Sequence, residues 1–171
     1  MAPTPLVLAW YRRARIAQLA HSAASNRARR ASVWLGVPAA ILGIVAGSAS
    51  VADLGVPKAV VAISSFGAAT LVSLQTFLRL DDSSAQHRTA SRGFGRIRRA
   101  LGQLGASPAF TEEEVQARLD QIRMDYDAIS TEGPQVPDRL WKGQVEKSAS
   151  YWPEEFGQNP ASSASAPSGG G

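Results

Sequence analysis

Cysteine is absent from the 171 residues, which excludes disulfide scaffolds, thiolate metal sites and cysteine nucleophiles. Histidine is nearly absent, with only His21 and His87. There is no Gly-x-Ser-x-Gly, no His-Glu-x-x-His and no paired carboxylates in a recognisable pocket, so hydrolytic or redox catalysis has little to work with. The chain is therefore read as a non-enzyme with no cofactor and no metal site. The most informative absence is charge. No Asp, Glu, Lys, Arg or His stands between Ala31 and Ala52, 22 residues, or between Ala59 and Leu78, 20 residues.

What surrounds these runs is very polar. The first 30 residues carry Arg12, Arg13, Arg15, Arg27, Arg29 and Arg30 with no acid; Arg79 to Arg99 carries six arginines against Asp81 and Asp82. From Thr111 to Phe156 there are eleven acids and five bases. The net charge of +4, the pI near 10.0 and the mean hydropathy of -0.10 average over these blocks and describe none of them. A basic pI of this origin is no argument for nucleic acid, and none is expected as a partner.

As helices the two uncharged runs span about 33 and 30 Å, matching a bilayer core of about 30 Å. Buried helices of a soluble bundle are the alternative, but such helices usually carry charge on one face over five or six turns. A cleaved signal peptide is the other alternative. Ser50-Val51-Ala52 suits a cleavage site, yet the basic lead and the apolar core are both too long, and a second span follows at once. The turn Asp53-Leu54-Gly55-Val56-Pro57-Lys58 admits only a tight hairpin. Twelve arginines on the outer flanks against one lysine in the turn place both termini in the cytoplasm by the positive-inside rule. Trp34, Arg29, Arg30 and Arg79 are the expected interface anchors, with Phe77 at the same level. The lipid bilayer is thus the first expected partner.

Within span one, Ala39, Gly43 and Gly47 lie four apart, a small-residue pattern that lets two backbones approach, within the hairpin or between subunits. Pro38 is expected to bend the helix. Span two sets Ala62, Ser65, Ala69, Ser73 and Thr76 on one side and the bulkier Ile63, Phe66, Leu71, Leu74 and Leu78 mostly on the other. Ser65, Ser73 and Thr76 are the candidates to face a pore; interhelical hydrogen bonding is the other use of such hydroxyls. With no ionisable group inside either span, a proton relay, voltage sensor or ion-coupled transporter is disfavoured.

Three further stripes step by 3 and 4, as one face of a packed helix does: Val7 to Ala28, Leu80 to Leu104, and Val115 to Ile129. The last opens with Thr111-Glu112-Glu113-Glu114, a capping box, and stops at Gly133-Pro134. The expected architecture is all-α: a two-helix transmembrane hairpin (spans about 31–52 and 59–78) with cytoplasmic helices about 6–30, 79–104 and 112–130 forming a three-helix bundle. Residues 138–156 are read as irregular and 157–171 as a disordered tail. His21 and His87, at equal distances from their spans, are expected as neighbours in the bundle, as packed core histidines before a protonation-sensitive contact or a metal site. Gly93 and Gly95 are read as weak points where their helix bends.

The basic first helix with its histidine, Trp34-Leu35-Gly36-Val37-Pro38-Ala39-Ala40-Ile41-Leu42, the short turn, the second span, Tyr126-Asp127-Ala128-Ile129 and Pro134-Gln135-Val136-Pro137 together resemble the SLATT family. These are SMODS and SLOG-associating two-transmembrane effector domains of bacteria. The likeness covers roughly Arg12 to Pro137. It implies a membrane effector of a bacterial conflict or antiphage defence system in the inner membrane. Such an effector would act as a homo-oligomer that forms a pore or perturbs the bilayer on activation. No nucleotide-producing or nucleotide-sensing domain is read in the sequence, so the expected trigger is a separately encoded nucleotide-signalling or sensor protein, or a small ligand. The competing expectation is a membrane-anchored scaffold in which Val115–Ile129 and Trp141–Phe156 dock a partner.

Overall fold

The computed structural model describes residues 5–51, 57–107, 110–149 and 151–156, the side chains of 49–51 and 155 excepted. The expected turn at 53–56, Pro108 and the tail from 157 lie outside the described residues. All regular structure among them is helical: α1 (Pro5–Val51), α2 (Lys58–Leu78), α3 (Leu80–Ala106), α4 (Glu112–Glu132), α5 (Asp138–Ser148) and a 3-10 turn at Glu154–Phe156. The chain divides into two compact units, Ala24–Gln86 and the remainder (Met1–Ala23 with His87–Gly171), to both of which α1 and α3 contribute.

In the second of these units the 3/4 stripes become one core. Val7, Tyr11, Ala14 and Ala17 of α1 meet Ala90, Phe94, Ile97, Leu101 and Leu104 of α3, Leu119, Ile122 and Tyr126 of α4, and Phe156. Small alanines on α1 let the helices close in, while the aromatic rings fill what remains: Tyr126 lies against Trp10 and Phe94, Tyr11 against Phe156. Each fully buried large side chain contributes about 1.5–3 kcal/mol. The helix α4 begins as its sequence requires. The Thr111 hydroxyl accepts from the Glu114 amide (3.3 Å) and a Glu114 carboxylate oxygen accepts from the Thr111 amide (2.8 Å). The Thr111 amide, and then the Thr111 hydroxyl donating to the same carboxylate (3.1 Å), hold the Glu114 carboxyl below its ordinary range.

Residues 138–156 are a correction to the sequence reading. Residues 138–148 are helical, not irregular: α5 follows Pro137, with Asp138 in its first turn and Lys147 in its last, each charge complementing the helix dipole. Its inward positions include Gln144 and Ser148, so no hydrophobic stripe betrays it. The Arg15 guanidinium donates to Ser148 Oγ (3.0 Å) and stacks on the Tyr151 ring (3.5 Å). Helix α3 runs through Gly93 and Gly95 without a break. A Cβ on Gly93 would stand 2.7 Å from Ile129 Cδ1, and one on Gly105 would overlap the Phe156 ring. Gly93 and Gly105 are notches for neighbouring side chains.

The Ala24–Gln86 unit is an antiparallel helix pair. Ser32, Ala39 and Ala46 of α1, seven residues apart, are buried against α2, where Ser64 is buried and Val61, Ala68, Leu71 and Gln75 are partly covered. Helix α1 is assigned without interruption across Pro38. Span two and the helix after it meet at a single residue. Arg79 adopts a left-handed conformation (φ 46°, ψ 42°) and separates α2 from α3.

Candidate membrane hairpin and histidine pair

Two helices of the chain are long and apolar enough to cross a membrane, and most of each apolar stretch is left uncovered. Burying two helices against each other satisfies one stripe on each and leaves the rest of both circumferences outward. Phe66 (78% exposed), Ile63 (72%), Ile44 (69%) and Ile41 (56%) all face out. At the end of these stretches, Trp34 (78%) and Phe77 (83%) stand out from the pair, with the exposed Arg29 and Arg30 just before the first and the exposed Arg79 just after the second. The Arg79 guanidinium pairs with Asp82 at 3.3 Å.

The predicted packing residues divide. Ala39 is buried in the helix pair (5% exposed). Gly43 and Gly47 are not, and a Cβ on either would meet nothing within 4 Å, so of the two uses expected for them, contact within the hairpin is not made. The close approach occurs instead at Gly67, where a Cβ would stand 3.1 Å from Leu42 Cδ1, and at Gly36, which lies under the Gln75 amide. Sequence reasoning singled out neither.

The candidate pore residues also fall on the outward side, since Ser65, Ser73 and Thr76 are all exposed. Ser65 Oγ donates to the Val61 carbonyl (2.8 Å) and Thr76 Oγ1 to the Val72 carbonyl (3.0 Å), leaving oxygen lone pairs to present outward. Interhelical hydrogen bonding within the pair is carried by others. Gln75 Nε2 donates to Ser32 Oγ (3.1 Å). Ser25 Oγ donates to the Ser84 carbonyl (2.9 Å), and Ser84 Oγ lies 3.2 Å from both the Ser25 carbonyl and Ser25 Oγ.

His21 and His87 come together as expected. Their Nδ1 atoms are 3.1 Å apart, their ring centroids 5.2 Å, and each residue is 6% exposed. The centroid separation exceeds the nitrogen separation by about two ring radii, so the nitrogens face each other nearly head-on. That disposition suits one N–H···N hydrogen bond; a shared metal ion would need both lone pairs aimed at a third point. Among the described residues no group of three or more histidines and carboxylates is assembled. Burial, and then the neighbouring His87, push the His21 pKa down to about 4, and burial lowers that of His87. Both rings are neutral at pH 7, one nitrogen donating and the other accepting.

The segments expected to dock a partner are occupied at home. Leu119, Ile122 and Tyr126 are in the core, and Val115, Ile129, Trp141, Tyr151 and Trp152 pack against it. No family model, curated protein or solved structure matches this chain.

Proposed function

We propose that the chain is a SLATT-like effector of the bacterial inner membrane. The α1–α2 pair spans the bilayer with both termini cytoplasmic, and copies assemble to form a pore or perturb the membrane when activated. The observation that carries the reading is the uncharged, outward-facing apolar surface of this pair, bordered by Trp34, Phe77 and exposed arginines. Water would penalise so much contiguous apolar surface at about 25 cal/mol per Å², and soluble monomers rarely expose large apolar patches. Lipid removes the penalty, aromatics suit the interface, and arginines suit the cytoplasmic leaflet. Gly43 and Gly47, open in the single chain, are the positions at which a second copy would approach closely, and Ser65, Ser73 and Thr76 then belong to the side available to water.

Expression in a bacterium loaded with a membrane-potential dye tests the reading. Triggering the cognate signalling protein should depolarise cells carrying the wild-type chain. An intact potential, with the chain found in the membrane fraction, would sink the pore and leave the membrane-anchored scaffold.

A further inference from the structure

The strained residue at the α2–α3 break stands between two hydrogen-bonded clamps. Before it, Gln75 bonds Ser32; after it, Ser84 bonds Ser25. On the α1 side the clamp residues are seven apart, about two turns, so Ser25 and Ser32 share a face of that continuous helix. On the other side Gln75 and Ser84 are nine apart, about two and a half turns. In an unbroken helix these two side chains would point in opposite directions and lie about 3 Å further apart along the axis than their partners. Both clamps close only because the left-handed turn at Arg79 rotates Ser84 back toward α1. The buried positions follow the same slip: Leu71 and Gln75 are followed by Leu80 and Ser84, a step of five in a pattern of threes and fours.

The geometry points to Arg79 as a conformational switch between the broken pair α2/α3 and one continuous helix. The broken state keeps both clamps and strains a non-glycine residue; the continuous state relieves the backbone, loses one clamp and turns the buried stripe on one side of residue 79 away from α1. The left-handed residue favours the continuous helix, and the clamps with the buried stripes favour the break, so whatever loosens the packing on α1 shifts the balance between them. The switch does not depend on the membrane reading.

The absence of cysteine allows clean labelling. Spin labels at Ile63→Cys and Gln86→Cys, both exposed positions, would stand about 35 Å apart along a continuous helix. In the full chain in detergent, the parent should give a shorter separation. Arg79→Val, whose β-branched side chain opposes the left-handed region, should move the distribution toward 35 Å. Ser25→Ala with Ser84→Ala should move it the same way, and Arg79→Gly should not. Parent-like distances in the serine double variant would overturn the switch, even if the valine variant fails to fold. Equal lengthening in the glycine variant would overturn it too, because the break would then not be set by backbone conformation at residue 79.

Discussion

His21 Nδ1 and His87 Nδ1 share one hydrogen bond, 3.1 Å long, between helices α1 and α3 inside an apolar layer that includes Phe94. Leucine at either position alone strands the other ring's polar nitrogen, at a cost of about 1–3 kcal/mol. Leucine at both removes donor and acceptor together, so the double variant should lose less than the sum of the single ones. Denaturant melts of the three variants, analysed as a double-mutant cycle, check this.

The same pair dictates a pH dependence. The native pKa of His21, about 4, lies below the ordinary 6.5, so between these values the unfolded chain holds a proton that the native chain excludes. Stability is fully present above about pH 6.5 and falls as pH drops toward 4. Thermal melts at pH 7.5, 6 and 5 should show this, with a shallower slope in the His21→Leu, His87→Leu double variant.

Gly43 and Gly67 should respond oppositely to enlargement. Gly43→Leu or Gly47→Leu enters open space and should leave helicity and melting within about 0.5 kcal/mol of wild type, while blunting depolarisation. Gly67→Leu meets Leu42 and should destabilise the helix pair by about 1–3 kcal/mol. Circular dichroism in detergent alongside the dye assay separates the two outcomes.

Gly105 provides the notch that seats Phe156. Gly105→Ala places a methyl group on the ring and should expose the C-terminal segment from Trp152 onward to protease before the core unfolds. Phe156→Ala should give the same early cleavage, and the two changes together should add little to either alone.

Thr111→Ala removes the side chain that accepts from the Glu114 amide and should cost about 1 kcal/mol. Urea melts give the loss directly.

Much of the fold was legible in the residue spacing. The stripes Val7–Ala17, Ala90–Leu104 and Leu119–Tyr126 reappear as the core because a helix must bury whichever face is apolar. The Thr111 box was legible because capping is local. The α5 helix was not, since Gln144 and Ser148 interrupt the inward face that Trp141 begins. Nor was the break at Arg79, an arginine in a conformation that favours glycine, although the five-residue step from Gln75 to Leu80 carries its trace in the sequence.

By itself the sequence determined the helical class, the two charge-free stretches and the bordering arginines, for these depend only on local composition and period. Which small residues touch was decided by tertiary structure. Gly67 and Ala39 are inside the helix pair and Gly43 and Gly47 outside it, because the rotation of one helix against its neighbour selects the stripe that is buried. The pairing of His21 with His87, and the left-handed turn that lets Ser25 and Ser32 bond two positions nine residues apart, arise for the same reason: both require helices already in contact.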